Sequence, residues 1–231
     1  MTTNRCDCVV PSQTRKIKPT RRSVSGLYAF RDEKQIAYES TLERDFLIRK
    51  EYSLSVLDII PQPCKIPFVG HNGQSYSYTP DFLVYYRLGD MVYPEYPKPV
   101  LVEVKPKGQW KKHWRKWLPK WKAAYRHAKE QDWVFHIHDE SRIRDQAFKN
   151  IRFLERYKRM KFSDTESKSV VESVQHMGAA SFSYLLSRHF MGIYKAEGIS
   201  HLWYLLATRQ LDCDITKPLN EFTEFWVPSY E

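Results

Sequence analysis

A chain of 231 residues that is 42% hydrophobic and 15% aromatic can bury one good core or two smaller ones, which excludes a low-complexity or disordered polymer. A net charge of +10 favours a polyanionic partner, and basic character combined with this many aromatics points to a folded nucleic-acid binder. No apolar run is long enough to cross a bilayer, Met1–Arg5 has no secretion-signal core, and four cysteines are too few for a disulfide framework, so a soluble intracellular protein is expected. Cys6, Cys8, Cys64 and Cys213 do not have the spacing of a zinc site.

Residues 1–25 carry Arg5, Arg15, Lys16, Lys18, Arg21 and Arg22 with two prolines and almost no apolar periodicity. They read as a disordered basic arm, serving either phosphate contact or solubility alone. From Ile36 the apolar spacing through Ala37, Leu42, Phe46 and Leu47 predicts a helix whose charged face includes Glu39 and Glu43, one turn apart. That face is either solvated or turned toward the edge of the following sheet. Short strands are then predicted at Ser55–Ile60, at Ile66–Val69 and at Tyr76–Tyr78, running into Thr79-Pro80-Asp81-Phe82-Leu83-Val84, as a small antiparallel meander. Pro94, Pro97 and Pro99 exclude a central strand before Val100-Leu101-Val102-Glu103-Val104-Lys105.

These last two strands carry charge where charge is costly. Side chains alternate along a strand, so Glu103 and Lys105 share one face. If the two strands pair, Asp81 comes beside Glu103, and two adjacent carboxylates repel unless a cation joins them. Mg²⁺ suits such oxygen donors, and Lys105 beside it could orient an attacking water. The plainer alternative is a surface Glu–Lys ion pair.

Trp110, Trp114, Trp117 and Trp121, spaced four, three and four, would line one face of a helix with Lys111, Lys112, Arg115, Lys116, Lys120 and Lys122 between them. The indoles are expected to pack on the sheet while the lysines face out. Pro119 allows either a kinked helix or two helices meeting near Leu118. Trp133–His138 reads as a strand with His136 and His138 on one face, and Ile143–Met160 as a helix, giving an α/β plan with a mixed sheet. A polar reset at Phe162–Thr165 suggests a domain boundary. Three helices near Ser169–Met177, Ala180–Phe190 and Ala196–Arg209 follow, then strand runs at Leu211–Ile215 and Phe222–Val227, the outline of a winged-helix module. Its third helix carries His201, Trp203 and Tyr204 but only Arg209 as a base, so protein binding suits it at least as well as groove reading.

An acidic helix with Glu43, Pro80-Asp81 opening a strand and Glu103-Val104-Lys105 on the next resembles the PD-(D/E)xK, restriction-endonuclease-like superfamily. With Glu39–Phe46, Gln62-Pro63 and Tyr78–Phe82 included, residues 35 to 110 resemble the TnsA family of transposon endonucleases. The resemblance implies a mixed sheet flanked by helices over residues 26–163, the nuclease domain, and a small winged-helix-like domain over residues 164–231 behind the basic arm. It implies a Mg²⁺-dependent endonuclease, with Mn²⁺ able to substitute, that cuts the 5′ strand at transposon ends in double-stranded DNA. A TnsB-like DDE transposase would cut and join the 3′ ends, and a TnsC-like ATPase would contact the carboxy-terminal region, all in the bacterial cytoplasm. Asp81, Glu103 and Glu43 would be metal ligands, with Glu39 able to replace Glu43, and Lys105 would position the water. Lys107, Lys111 and Lys112 could guide the DNA backbone. The competing expectations are a stand-alone repair or restriction nuclease and a non-catalytic winged-helix adaptor.

Overall fold

Val56, Ile59 and Ile60 in β3 (Val56–Pro61), the consecutive Phe82, Leu83 and Val84 in β6 (Phe82–Tyr86), and Leu101, Val102 and Val104 in β7 (Val100–Val104) are buried, because these strands are covered on both faces. With β8 (Val134–His138) they form a four-stranded sheet of order β3-β6-β7-β8, antiparallel except for the parallel pair β7–β8. The computed structural model describes residues 12–14, 24–89, 95–192 and 195–229. It divides into two compact units, Met1–Ser141 and Arg142–Glu231.

In the first unit, α1 (Thr41–Tyr52) lies on one face of the sheet, where Phe46 stacks on Phe82 with ring centroids 5.3 Å apart. On the other face α2 (Lys107–Glu130) makes the parallel crossover from β7 to β8 and buries Trp121, Ala124 and Ala128 against Leu83 and Leu101. Two hairpins complete the unit: β1 (Gly26–Phe30) with β2 (Lys34–Tyr38), and β4 (Ile66–Val69) with β5 (Ser75–Tyr78), the second packed on α2.

Several local expectations change. Ile36 and Ala37 belong to β2, paired with Tyr28 and Leu27, and the helix begins only after the cap Ser40. Glu39 therefore precedes the helix and does not share its face with Glu43. The meander is interrupted: β3 skips the β4–β5 hairpin and pairs with β6, the chain leaving the sheet at Gln62, whose φ is +47°. Pro119 sits inside one continuous helix. Of the indole stripe, Trp121 is buried and Trp110 and Trp117 are partly so against the core, but Trp114 is exposed. The basic residues expected in the amino-terminal arm lie outside the described residues; within the arm, Thr14 donates from N–H and Oγ1 to the Gln62 carbonyl at 3.1 and 2.9 Å.

The second unit holds α4 (Gln146–Leu154), α5 (Asp164–Met177), α6 (Phe182–His189) and α7 (Lys195–Ala207), with the short helix α3 (Glu140–Ile143) at the division. The division falls after Ser141, earlier than the compositional reset at Phe162–Thr165. Asn150 of α4 explains this, since its Nδ2 donates to the carbonyls of Ile215 and Lys217 at 2.8 and 2.6 Å and ties α4 to the chain's end. The three predicted helices appear as α5, α6 and α7. The two strand runs do not form a regular hairpin: Asp212 and Trp226 make one bridge, and β10 (Glu224–Phe225) pairs with β9 (Ala180–Ser181), the residues just before α6. Phe182, Trp203 and Phe225 form the aromatic centre of this unit, with ring centroids 4.5 to 6.1 Å apart.

Candidate active site

The register Phe82↔Val102 sets Asp81 opposite Glu103. Proline at position 80 has no N–H to offer the ladder, and Asp81 resumes it, donating from its N–H to the Val102 carbonyl at 3.1 Å. Alternation then turns Asp81, Glu103 and Lys105 toward the α2 side, the side of Leu83 and Leu101. The strand after Glu103 keeps its direction because the Lys105 N–H donates to the His138 carbonyl at 3.0 Å.

Lys105 Nζ lies 3.3 Å from Asp81 Oδ2 and 3.4 Å from Glu103 Oε1, bridging the two acids. Asp81 Oδ2 also accepts the Val104 N–H at 2.8 Å. Burial raises the Asp81 carboxyl well above its ordinary range, and the charges of Glu103 and Glu43 push it further, against the opposing pull of Lys105. For Lys105, burial disfavours the ammonium, but Asp81, Glu103 and Glu43 together outweigh it and hold the group above its usual range. Glu103 is 1% exposed. Its Oε1 also accepts from Lys120 Nζ at 3.0 Å and its Oε2 from Tyr78 Oη at 2.5 Å.

Glu43 comes from α1, on the opposite face of the sheet. It is buried, and its carboxylate accepts the Glu39 N–H at 2.7 Å and the Ser40 hydroxyl at 2.9 Å while its own N–H donates to Ser40 Oγ at 3.1 Å, closing a cap on the helix. Burial raises its carboxyl, with the Glu39 N–H and the charge of Lys105 opposing. The structure thus brings Asp81, Glu103 and Lys105 into direct contact, while Glu43 acts on them through its charge. Glu39 contributes its backbone N–H to this cap.

Among the described residues no three His, Cys, Asp or Glu side chains are gathered at metal-binding spacing. The ammonium groups of Lys105 and Lys120 stand against the carboxylates, and Glu43 is hydrogen-bonded within its own cap. The donor set nevertheless fits a hard divalent cation, since it offers only carboxylate oxygens and crowds them until burial and mutual repulsion push Asp81 up.

Tyr78 and Lys120 were not expected here. Tyr78 stands three residues before Asp81 at the buried end of the Tyr76-Ser77-Tyr78 alternation. Lys120 follows Pro119 and sits one turn from Trp117, on the inward side of the indole stripe, where a cation is out of place unless it meets an acid. Lys107, Lys111 and Lys112 are exposed along the first turns of α2, and the Lys107 N–H donates to Glu140 Oε2 at 2.7 Å. His136 and His138 lie side by side on the edge strand β8, ring centroids 6.3 Å apart, and among the described residues they belong to no group of three metal-ligating side chains.

A mixed sheet covered by helices on both faces, with an acid opening one strand and Glu-x-Lys closing its neighbour, is a restriction-endonuclease-like fold. The family model described as TnsA-like endonuclease N terminal matches residues 53–140, and the one described as TnsA endonuclease C terminal matches residues 142–215. The chain belongs to the TnsA endonuclease family and is an endonuclease of DNA transposition. The seam between the two matches falls at the division between the two compact units. Asp81, Glu103 and Lys105 lie inside the first match and Glu43 precedes it. No curated protein gives a match.

Proposed function

We propose that the chain hydrolyses the 5′, non-transferred strand at the ends of a transposon, with Asp81, Glu103 and Lys105 as the cleavage site and Glu43 completing it. The observation that carries this is the Lys105 ammonium bridging Asp81 and Glu103 at 3.3 and 3.4 Å on the paired ends of β6 and β7. Mg²⁺, or Mn²⁺ in its place, would be held by Asp81, Glu103 and Glu43; when bound, such an ion supplies charge neutralisation at the scissile phosphate and a more acidic water. Lys105, fixed by two carboxylates, orients the attacking water and offsets the charge that grows on the phosphoryl oxygens. Lys107, Lys111 and Lys112, exposed immediately after this lysine, lead the DNA backbone toward it. The first unit is then the nuclease domain.

The helix–strand–helix–helix order α5-β9-α6-α7, followed by the bridged Asp212 and Trp226 and by β10 paired back to β9, supports a winged-helix reading of the second unit. Its third helix is unsuited to reading a groove. His201 and Trp203 are buried and Arg209, just past the helix end, is paired with Asp212, so this unit suits contact with a TnsC-like ATPase better than contact with bases. A TnsB-like transposase would process the opposite strand, in the bacterial cytoplasm.

Asp81→Ala tests the site. Strand cleavage with Mg²⁺, measured on labelled transposon-end DNA together with the partner proteins, should be lost while the circular-dichroism spectrum and melting remain those of a folded protein. Full cleavage by a folded Asp81→Ala variant would sink the reading.

A further inference from the structure

We infer that Lys120 is a positioning residue of this site, one that holds Glu103 when no metal is bound and lowers the site's metal affinity by competing for Glu103 Oε1. The inference rests on the reading of Glu103 as a metal ligand. Lys120 differs from its neighbours on α2: Lys111, Lys112, Arg115, Lys116 and Lys122 are exposed, whereas the Lys120 side chain is 17% exposed and turned inward. Its ammonium is built into place by three rings, 4.6 Å from the centroid of Tyr78, 5.0 Å from Trp117 and 5.8 Å from Trp121. It ends 3.0 Å from Glu103 Oε1, closer than Lys105 at 3.4 Å.

The physical need is clear from Glu103 itself. A carboxylate so nearly withdrawn from water must be paired or it neutralises, and Tyr78 satisfies only Oε2. Glu43, Asp81 and Glu103 bring three carboxyl groups to a region where Lys105 alone would supply one positive charge. A second lysine lets the metal-free protein fold around the cluster. It also occupies the oxygen that a divalent cation would use, and two cations on one oxygen repel. Tyr78 arrives on the β4–β5 hairpin and Lys120 on α2, so both elements packed over this side of the sheet fix the same glutamate.

The test is calorimetric titration of Mn²⁺ into the full chain, without DNA, with melting followed in parallel in chelator and in saturating Mn²⁺. Lys120→Gln should bind Mn²⁺ tighter than the wild type by roughly five- to tenfold, as the removal of one adjacent positive charge implies. It should melt lower than the wild type in chelator, and the gap should narrow in Mn²⁺. Lys120→Met is the second variant should the amide disturb folding, and Lys120→Arg, which keeps the charge, should bind Mn²⁺ like the wild type. Lys122→Gln makes the same change of net charge on the exposed side of the helix and should leave the affinity unaltered. Affinity in Lys120→Gln and Lys120→Met that is no tighter than in Lys122→Gln overturns the inference, while Asp81-dependent Mn²⁺ binding by the wild type leaves the metal-site reading standing. Wild-type protein that binds no Mn²⁺, or binds it equally after Asp81→Ala, overturns both.

Discussion

Ser40 and Glu43 satisfy one another at the start of α1, and the charge of the same glutamate reaches Asp81 and Lys105, so one residue caps the helix and biases the ionisation of both groups. His201 shows another residue-scale balance. It is fully buried, its Nε2 lies 2.8 Å from Ser167 Oγ, its ring stacks on Phe162 and its Nδ1 is 4.0 Å from Glu166. Burial lowers its pKa, and Glu166 and Glu197 oppose this without reversing it. The folded state therefore binds this proton less readily than the unfolded state. The stability contributed is present above the ordinary imidazole value of about 6.5 and is lost as pH falls through that value toward the lower folded pKa. Urea midpoints measured from pH 8 down to pH 5 should fall, and His201→Phe should flatten that fall; an equally steep fall in the variant would assign it to other groups.

At the scale of elements, α2 and the β4–β5 hairpin explain each other. Pro119 has no N–H, so the Arg115 carbonyl one turn earlier loses its helical partner. That carbonyl instead accepts from His71 Nε2, at the tip of the hairpin, at 2.8 Å. The proline that raises doubt about a helix in the sequence thus frees an acceptor that docks a neighbouring element, and packing of Trp121 and Ala124 on the sheet keeps the helix whole. A double-mutant cycle checks this. His71→Ala should cost about 1 kcal/mol in the native background, and less in Pro119→Ala, where the new N–H can take the Arg115 carbonyl; equal costs in both backgrounds would show the two residues to be uncoupled. The strand pairing is legible only in part for a related reason: short apolar runs mark β3, β6 and β7, but the turn at Gln62 that lets β3 skip a whole hairpin is a backbone conformation that composition does not announce. The start of α1 is misread because Ile36 and Ala37 fit a helical period by chance, and only their partners on β1 show them to be strand.

For the whole molecule, the +10 charge bears on solubility and on association with polyanions rather than on the fold. If Lys107, Lys111 and Lys112 each neutralise a phosphate, replacing all three with alanine should reduce the slope of log affinity against log salt by about 2.7, at about 0.9 per contact on duplex DNA. Fluorescence anisotropy over a salt series measures it, and an unchanged slope would place the DNA path elsewhere. Of the two compact units, one carries Asp81, Glu103 and Lys105 and the other an aromatic core around Trp203.

Sequence alone determined that Asp81 opens one strand and that Glu103 and Lys105 share a face of another, because alternation and a proline-led strand start are local rules that tertiary packing had only to obey. It also determined the helical stripe of α2 and the three helices α5, α6 and α7, whose periodicity runs far enough to be read. Only the tertiary structure decided that α1 and α2 lie on opposite faces of the sheet, that the chain divides after Ser141, and that Tyr78 and Lys120 close around Glu103. Those depend on contacts between residues 17 to 67 positions apart in the chain, which no local pattern encodes.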